Sequence, residues 1–169
     1  FGETAKPMEP EDMEVLVGAF SKAAGRVRDG GFDGIEIDMG PESILRQFLS
    51  PLSNFRRDEY GGDMENRMRL PLRVLEAVRK EVGPDYPVGI RLCVDEKFWG
   101  AITPDESDHF AERFAEEGTA DFINVSVGTY YNLHLFMASM HTPFGFTIEA
   151  AERVKGRVDW ARRFDHMQQ

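Results

Sequence analysis

The chain has 169 residues, 41% of them hydrophobic and 30% charged, with 30 acidic side chains against 20 basic ones and a net charge of −10. That composition suits a globular fold with a buried core, not a disordered chain. The acidic balance argues against a nucleic-acid backbone or an anionic membrane surface as partner, because both reward clustered Lys and Arg. No apolar run approaches the roughly 18 residues of a membrane helix. Cys93 is the single cysteine, so an intrachain disulfide is excluded, which fits a reducing, cytoplasmic compartment. The chain opens at Phe1 without a signal pattern and closes on a charged stretch from Trp160 to Gln169, which suggests a piece of a longer protein.

In chain order, Met13, Leu16, Val17, Phe20, Ala23, Ala24 and Val27 fall on one face of a helix predicted over 11–29, with Pro10 at its entry and Gly30-Gly31 at its exit. Residues 34–38, Gly-Ile-Glu-Ile-Asp, alternate apolar with acidic and predict a strand with one apolar and one polar side. A helix over 64–82 presents Met68, Leu72, Leu75 and Val82, with Pro71 predicting a kink or a late start. A strand over 88–92 follows. Thr103, Pro104 and Glu106 form a capping box that opens a third helix carrying Phe110, Ala111, Phe114 and Ala115. The pattern closes with a strand over 122–127 and a helix over 147–155.

Alternating helices and strands predict an α/β fold with a parallel sheet. A doubly wound nucleotide domain normally carries a glycine-rich phosphate turn after a strand, and neither common form of that turn occurs here. Polar residues sit toward the strand C-termini (Glu36 and Asp38, Arg91, Asn124 and Ser126), where βα-barrel enzymes keep their chemistry. Three strands are fewer than eight, and a full barrel takes roughly 250 residues. The expectation is a partial (β/α)8 TIM barrel, with strands in the order 1-2-3.

Several motifs carry a resemblance. Asp33-Gly-Ile-Glu-Ile37, Gln47-Phe-Leu-Ser-Pro51, Arg57-Asp-Glu-Tyr-Gly-Gly62 and Glu65-Asn-Arg67 occur in series. Val88-Gly-Ile-Arg-Leu92 and Phe122-Ile-Asn-Val-Ser-Val-Gly128 follow them. Together they resemble the Old Yellow Enzyme family of FMN-dependent NADH:flavin oxidoreductases. With His141-Thr-Pro-Phe-Gly145, the chain is most similar to the branch of dienoyl-CoA reductases and trimethylamine dehydrogenase-like enzymes. The resemblance implies strands four to six of the family's barrel, with residues 1–158 as its central part and 159–169 as a divergent tail. It also implies FMN as cofactor and hydride transfer at flavin N5. NAD(P)H and a small unsaturated or amine substrate are the implied partners. An iron–sulfur cluster and a second nucleotide belong to other parts of such proteins; one thiol cannot hold a cluster needing about four.

The resemblance makes Arg91 a flavin contact at the pyrimidine edge, where its charge would favour the reduced, anionic ring. Read from its residues alone, Arg91 is a salt-bridge partner of Glu36 or Asp38. Asp38 stands where many members of the family carry a His or Asn that binds the substrate carbonyl. An ionised carboxylate cannot donate that hydrogen bond but can pair with a cationic amine; the alternative is an ion pair with Arg91. Tyr130 falls where the dienoyl-CoA branch has a catalytic His, and its phenol can donate a proton or bind an oxyanion; the alternative is a packing aromatic. The segment from Asp58 to Arg67 reads as a fixed turn after the first strand, with Arg67 tying loop carboxylates. Cys93 reads as a small core residue, His109 as solvent-facing, and His134 and His141 as loop residues at a pocket. On these readings the isolated chain is an inactive fragment of an enzyme. The competing reading is a non-enzymatic half-barrel that is structural or self-associates.

Overall fold

A computed structural model describes residues 6–158. Its strands are β1 (Ile35–Met39), β2 (Val88–Asp95) and β3 (Phe122–Val127). They form one parallel sheet in the order β1-β2-β3, as the alternating pattern predicts. The helices are α1 (Pro10–Asp29), α2 (Ile44–Leu49), α3 (Met64–Val82), α4 (Pro104–Glu116), α5 (Leu133–Phe136) and α6 (Ile148–Arg157), with a 3-10 turn over Tyr130–Asn132. The divergent tail expected over 159–169 lies outside the described residues. Among the described residues no helix is long and apolar enough to cross a membrane.

Alternation sorts the sheet into two faces. Ile37 and Met39 of β1, and Val88, Ile90, Leu92 and Val94 of β2, are buried in one core with Val74, Leu75 and Val78 of α3 and Phe110, Ala111 and Phe114 of α4. The other face carries Glu36, Asp38, Arg91, Asn124 and Ser126, and Arg91 is the one exposed residue of β2. The outer edges of β1 and β3 have no partner strand among the described residues.

Local chemistry sets the helix ends. Glu9 and Asp12 cap α1 reciprocally, with Pro10 in its first turn. Ala23, expected on its buried stripe, faces solvent. Thr103 Oγ accepts from the Glu106 N–H at 3.3 Å, and the Thr103 N–H donates to Glu106 at 3.2 Å, the predicted capping box. The late start expected at Pro71 does not occur. Asp63 caps α3 by accepting from the Asn66 N–H at 2.9 Å, and the helix runs through Pro71 to Val82. The apolar stripe on either side, from Met68 to Val82, outweighs the one backbone bond that proline removes.

Two further departures reshape the site. β2 continues past Leu92 to Asp95, because Cys93 and Val94 extend the apolar run. A short helix, α2, with Ser43 as its cap, intervenes between β1 and the glycine turn. That turn therefore joins α2 to α3 and does not follow the strand directly.

Candidate functional site

The C-terminal ends of the three strands are braced from below by a buried charged cluster that the sequence patterns did not reveal. Glu96, directly after β2, is fully buried. It takes an ion pair from Arg46 of α2 at 2.8 Å, a hydrogen bond from Ser50 Oγ at 2.5 Å and another from the Ile102 N–H at 2.7 Å. Arg46 also donates to the Pro41 carbonyl at 2.5 Å, so the loop after β1 and the loop after β2 hang on one pair. The third loop is joined by Asn132, which donates to the carbonyls of Glu96 and Lys97 at 2.8 and 3.1 Å and accepts from the Thr129 N–H at 2.5 Å. Expecting β2 to stop at Leu92 hid Glu96. The continuing apolar pair Cys93-Val94 was the signal available.

On the polar face, Arg91 lies in mid-strand and not near a strand end, since β2 runs four residues beyond it to Asp95. Its register neighbours are Asp38 on β1 and Asn124 on β3. Its carboxylate partner is Glu36, with Nε 3.0 Å from Oε1. The other oxygen of Glu36 accepts from Asn124 Nδ2 at 2.9 Å. The two terminal amino groups of Arg91 make no hydrogen bond among the described residues, and the side chain is 46% exposed.

Asp38 makes no ion pair with Arg91. Its Oδ1 accepts the Gly40 N–H at 2.8 Å, a two-residue side-chain turn that ends the strand. Gly40 lies against both residues: a Cβ there would sit 2.8 Å from Asp38 Oδ1 and 3.3 Å from Arg91 Cδ. Tyr130 occupies the 3-10 turn after β3. It is exposed, its ring edge meets Phe136 at 5.8 Å, and its hydroxyl has no partner among the described residues. Tyr131 stacks on Phe98 of the loop after β2 at 5.2 Å. Thus Asp38 and Arg91 are brought side by side, while Tyr130 keeps contacts within its own loop.

The remaining expectations divide. Arg67 is buried and pairs with Glu106 of α4 and with the Leu49 carbonyl, not with loop carboxylates. Asp58 holds its turn by accepting the Tyr60 N–H at 3.0 Å, and hydrogen bonds from Arg56 lower its pKa. Cys93 is buried as expected. Its S–H donates to the Gly128 carbonyl at 3.4 Å, and burial pushes the thiol up to about 12. His109 is half-buried beside Glu65 at 2.7 Å, not free in solvent, because α4 lies next to the first turn of α3. His134 and His141 are exposed. Among the described residues no cluster of three His, Cys, Asp or Glu side chains could hold a metal.

The chain is similar to known proteins. The model of the NADH:flavin oxidoreductase / NADH oxidase family matches residues 2–161. An N,N-dimethylglycine/sarcosine dehydrogenase of Chromohalobacter salexigens is 40% identical over 137 residues, covering 81% of this chain and 20% of the relative. An NADPH dehydrogenase of Clostridium acetobutylicum is 34% identical over 158 residues, 93% of this chain and 44% of the relative. The solved structure of 2-naphthoyl-CoA reductase with 2-naphthoyl-CoA superposes at a TM-score of 0.83 and 28% identity, covering 90% of this chain and 23% of that one. The chain spans less than half the length of each of these relatives.

Proposed function

The chain belongs to the NADH:flavin oxidoreductase / NADH oxidase family. On that premise we propose that residues 1–158 form the central part, strands four to six, of an FMN-binding (β/α)8 barrel. The reaction of that barrel is hydride transfer between flavin N5 and a small unsaturated or amine substrate, with NAD(P)H as the other redox partner. The observation that carries this reading is Arg91: a guanidinium on the polar face of the sheet whose two terminal amino groups have no hydrogen-bond partner among the described residues. Such a fork matches two adjacent carbonyl-type acceptors, and the pyrimidine edge of FMN offers that chemistry.

When bound, FMN supplies the hydride acceptor or donor. This chain's residues orient and charge the site. Arg91 holds the ring edge. Asp38, which accepts from a backbone N–H and has no cationic partner among the described residues, presents a carboxylate suited to a cationic amine. The 40% identity to a dimethylglycine/sarcosine dehydrogenase supports the amine over the unsaturated carbonyl. Tyr130, whose hydroxyl has no partner among the described residues, is the candidate proton donor or oxyanion binder. A cluster of iron and sulfur has no ligand set here, since Cys93 is the sole cysteine and is buried. A cytoplasmic location belongs to the same reading.

The isolated chain, in this reading, binds the ring edge without turning over. The outer edges of β1 and β3, which have no partner strand among the described residues, favour one further behaviour, self-association of half-barrels through their strand edges. Titrating the purified chain with FMN under anaerobic conditions, then adding dimethylglycine or NADH, tests the account. Fluorescence quenching without bleaching is expected. Quenching followed by substrate-dependent bleaching would show a competent enzyme, and no quenching at all would remove the flavin reading.

A further inference from the structure

The carboxylate of Glu36 uses both oxygens at once, one on each of two other strands: Oε1 lies 3.0 Å from Arg91 Nε on β2, and Oε2 accepts from Asn124 Nδ2 at 2.9 Å on β3. A guanidinium has five N–H donors in a rigid plane. The ion pair at Nε tethers one edge of that plane and leaves the two terminal amino groups without a partner among the described residues. The stem is fixed at a second point, because Arg91 Cδ lies against Gly40, where even a methyl group would come within 3.3 Å. A mid-strand arginine 46% exposed on a sheet face would otherwise sample many rotamers, at an entropic cost to any ligand it binds.

We propose that Glu36, with Asn124 behind it, is the positioning residue for Arg91. It holds the guanidinium so that the terminal amino groups form a preset two-donor site. Its charge also offsets that of the arginine, so the site selects a polarised carbonyl edge over a free anion. The ligand assignment rests on the flavin reading above; the positioning itself does not.

The test is NMR of the 15N-labelled chain. The Arg91 Nε–Hε resonance is the one that disappears in Arg91→Lys, and well-dispersed backbone amides confirm the fold of each variant. Exchange of Hε with water is expected to speed up at least tenfold in Glu36→Ala and by a smaller factor in Asn124→Ala. Equal exchange in wild type and Glu36→Ala overturns the proposal. If Glu36→Ala does not fold, Glu36→Gln decides, since it keeps the size of the side chain but loses the charge of the ion pair. Exchange several-fold faster than wild type supports positioning, and unchanged exchange overturns it. FMN is then added. A shift of the Arg91 resonance in wild type that shrinks in the Glu36 variant supports both readings. A shift of equal size in both overturns positioning and leaves the flavin reading standing. No shift in either, with exchange still dependent on Glu36, removes the flavin reading and leaves positioning standing.

Discussion

The ring of Phe122 lies directly over Gly89, its register partner on the neighbouring strand, in the space a side chain at position 89 would fill. A Cβ on Gly89 would collide with three ring carbons. The pair therefore fills the polar face level with Glu36, the register partner of Gly89 on β1, with one aromatic ring and no second side chain, one pleat before Arg91.

Gly89→Ala is expected to displace that ring and destabilise the fold by about 1–3 kcal/mol, the range for overpacking. Phe122 is 43% exposed, so the ring has solvent to swing into. Urea denaturation of both single variants and the double variant Gly89→Ala/Phe122→Ala checks the coupling. The double variant should be more stable than the sum of the single losses allows, whereas strict additivity would show that the contact carries no energy.

Glu96→Ala leaves Arg46 buried without its counter-ion and takes acceptors from Ser50 and Ile102. Breaking such a buried pair costs about 3–5 kcal/mol. Because the same cluster carries the loops after β1 and β2, hydrogen exchange should quicken at Ser43, Ile102 and Thr129 before it does in α3. A loss confined to the Glu96 neighbourhood would contradict the bracing role.

Thr103 and Glu106 share a capping box, but only Glu106 also neutralises the buried Arg67. Thr103→Ala should cost about 1 kcal/mol, an ordinary cap loss. Glu106→Ala should cost about 3 kcal/mol, because it strands a buried guanidinium. Equal losses in thermal unfolding would show that the Arg67 pair contributes nothing.

Cys93 titrates far above its ordinary value of 9.0, at about 12, because burial disfavours the thiolate. A raised folded pKa means that the native state keeps a proton the unfolded chain has released, so stability is intact below about pH 9 and falls as pH rises toward 12. The slope attributable to this group approaches about 1.4 kcal/mol per pH unit within that window. Cys93→Ala should flatten the alkaline limb of a pH–stability curve. A limb unchanged by the substitution would assign the loss to other groups.

The elements legible in the sequence were those whose signals are local. The Thr103–Glu106 box and the Phe110/Phe114 stripe place α4 within a residue, and β3 falls on the expected 122–127. Strand β1 is displaced by one residue, and β2 is three residues longer than its first apolar run. What escaped depends on contacts between distant positions. Arg46 and Glu96 are 50 residues apart, and Glu36 and Asn124 are 88 apart. No periodicity announces that one carboxylate will serve two strands. The choice between Glu36 and Asp38 as partner of Arg91 was open for the same reason. Asp38 is closer in register, but its short side chain turns back to the Gly40 N–H, and the longer Glu36 reaches across.

In the flavin reading, Arg91 contacts the flavin ring. The measurement that tests it most directly is the affinity of the purified chain for FMN, read by flavin fluorescence, with wild type and Arg91→Ala side by side. Saturable quenching by wild type, with the dissociation constant raised at least tenfold in Arg91→Ala and an unchanged fold by circular dichroism, is the predicted result. Equal affinities in the two proteins would contradict it.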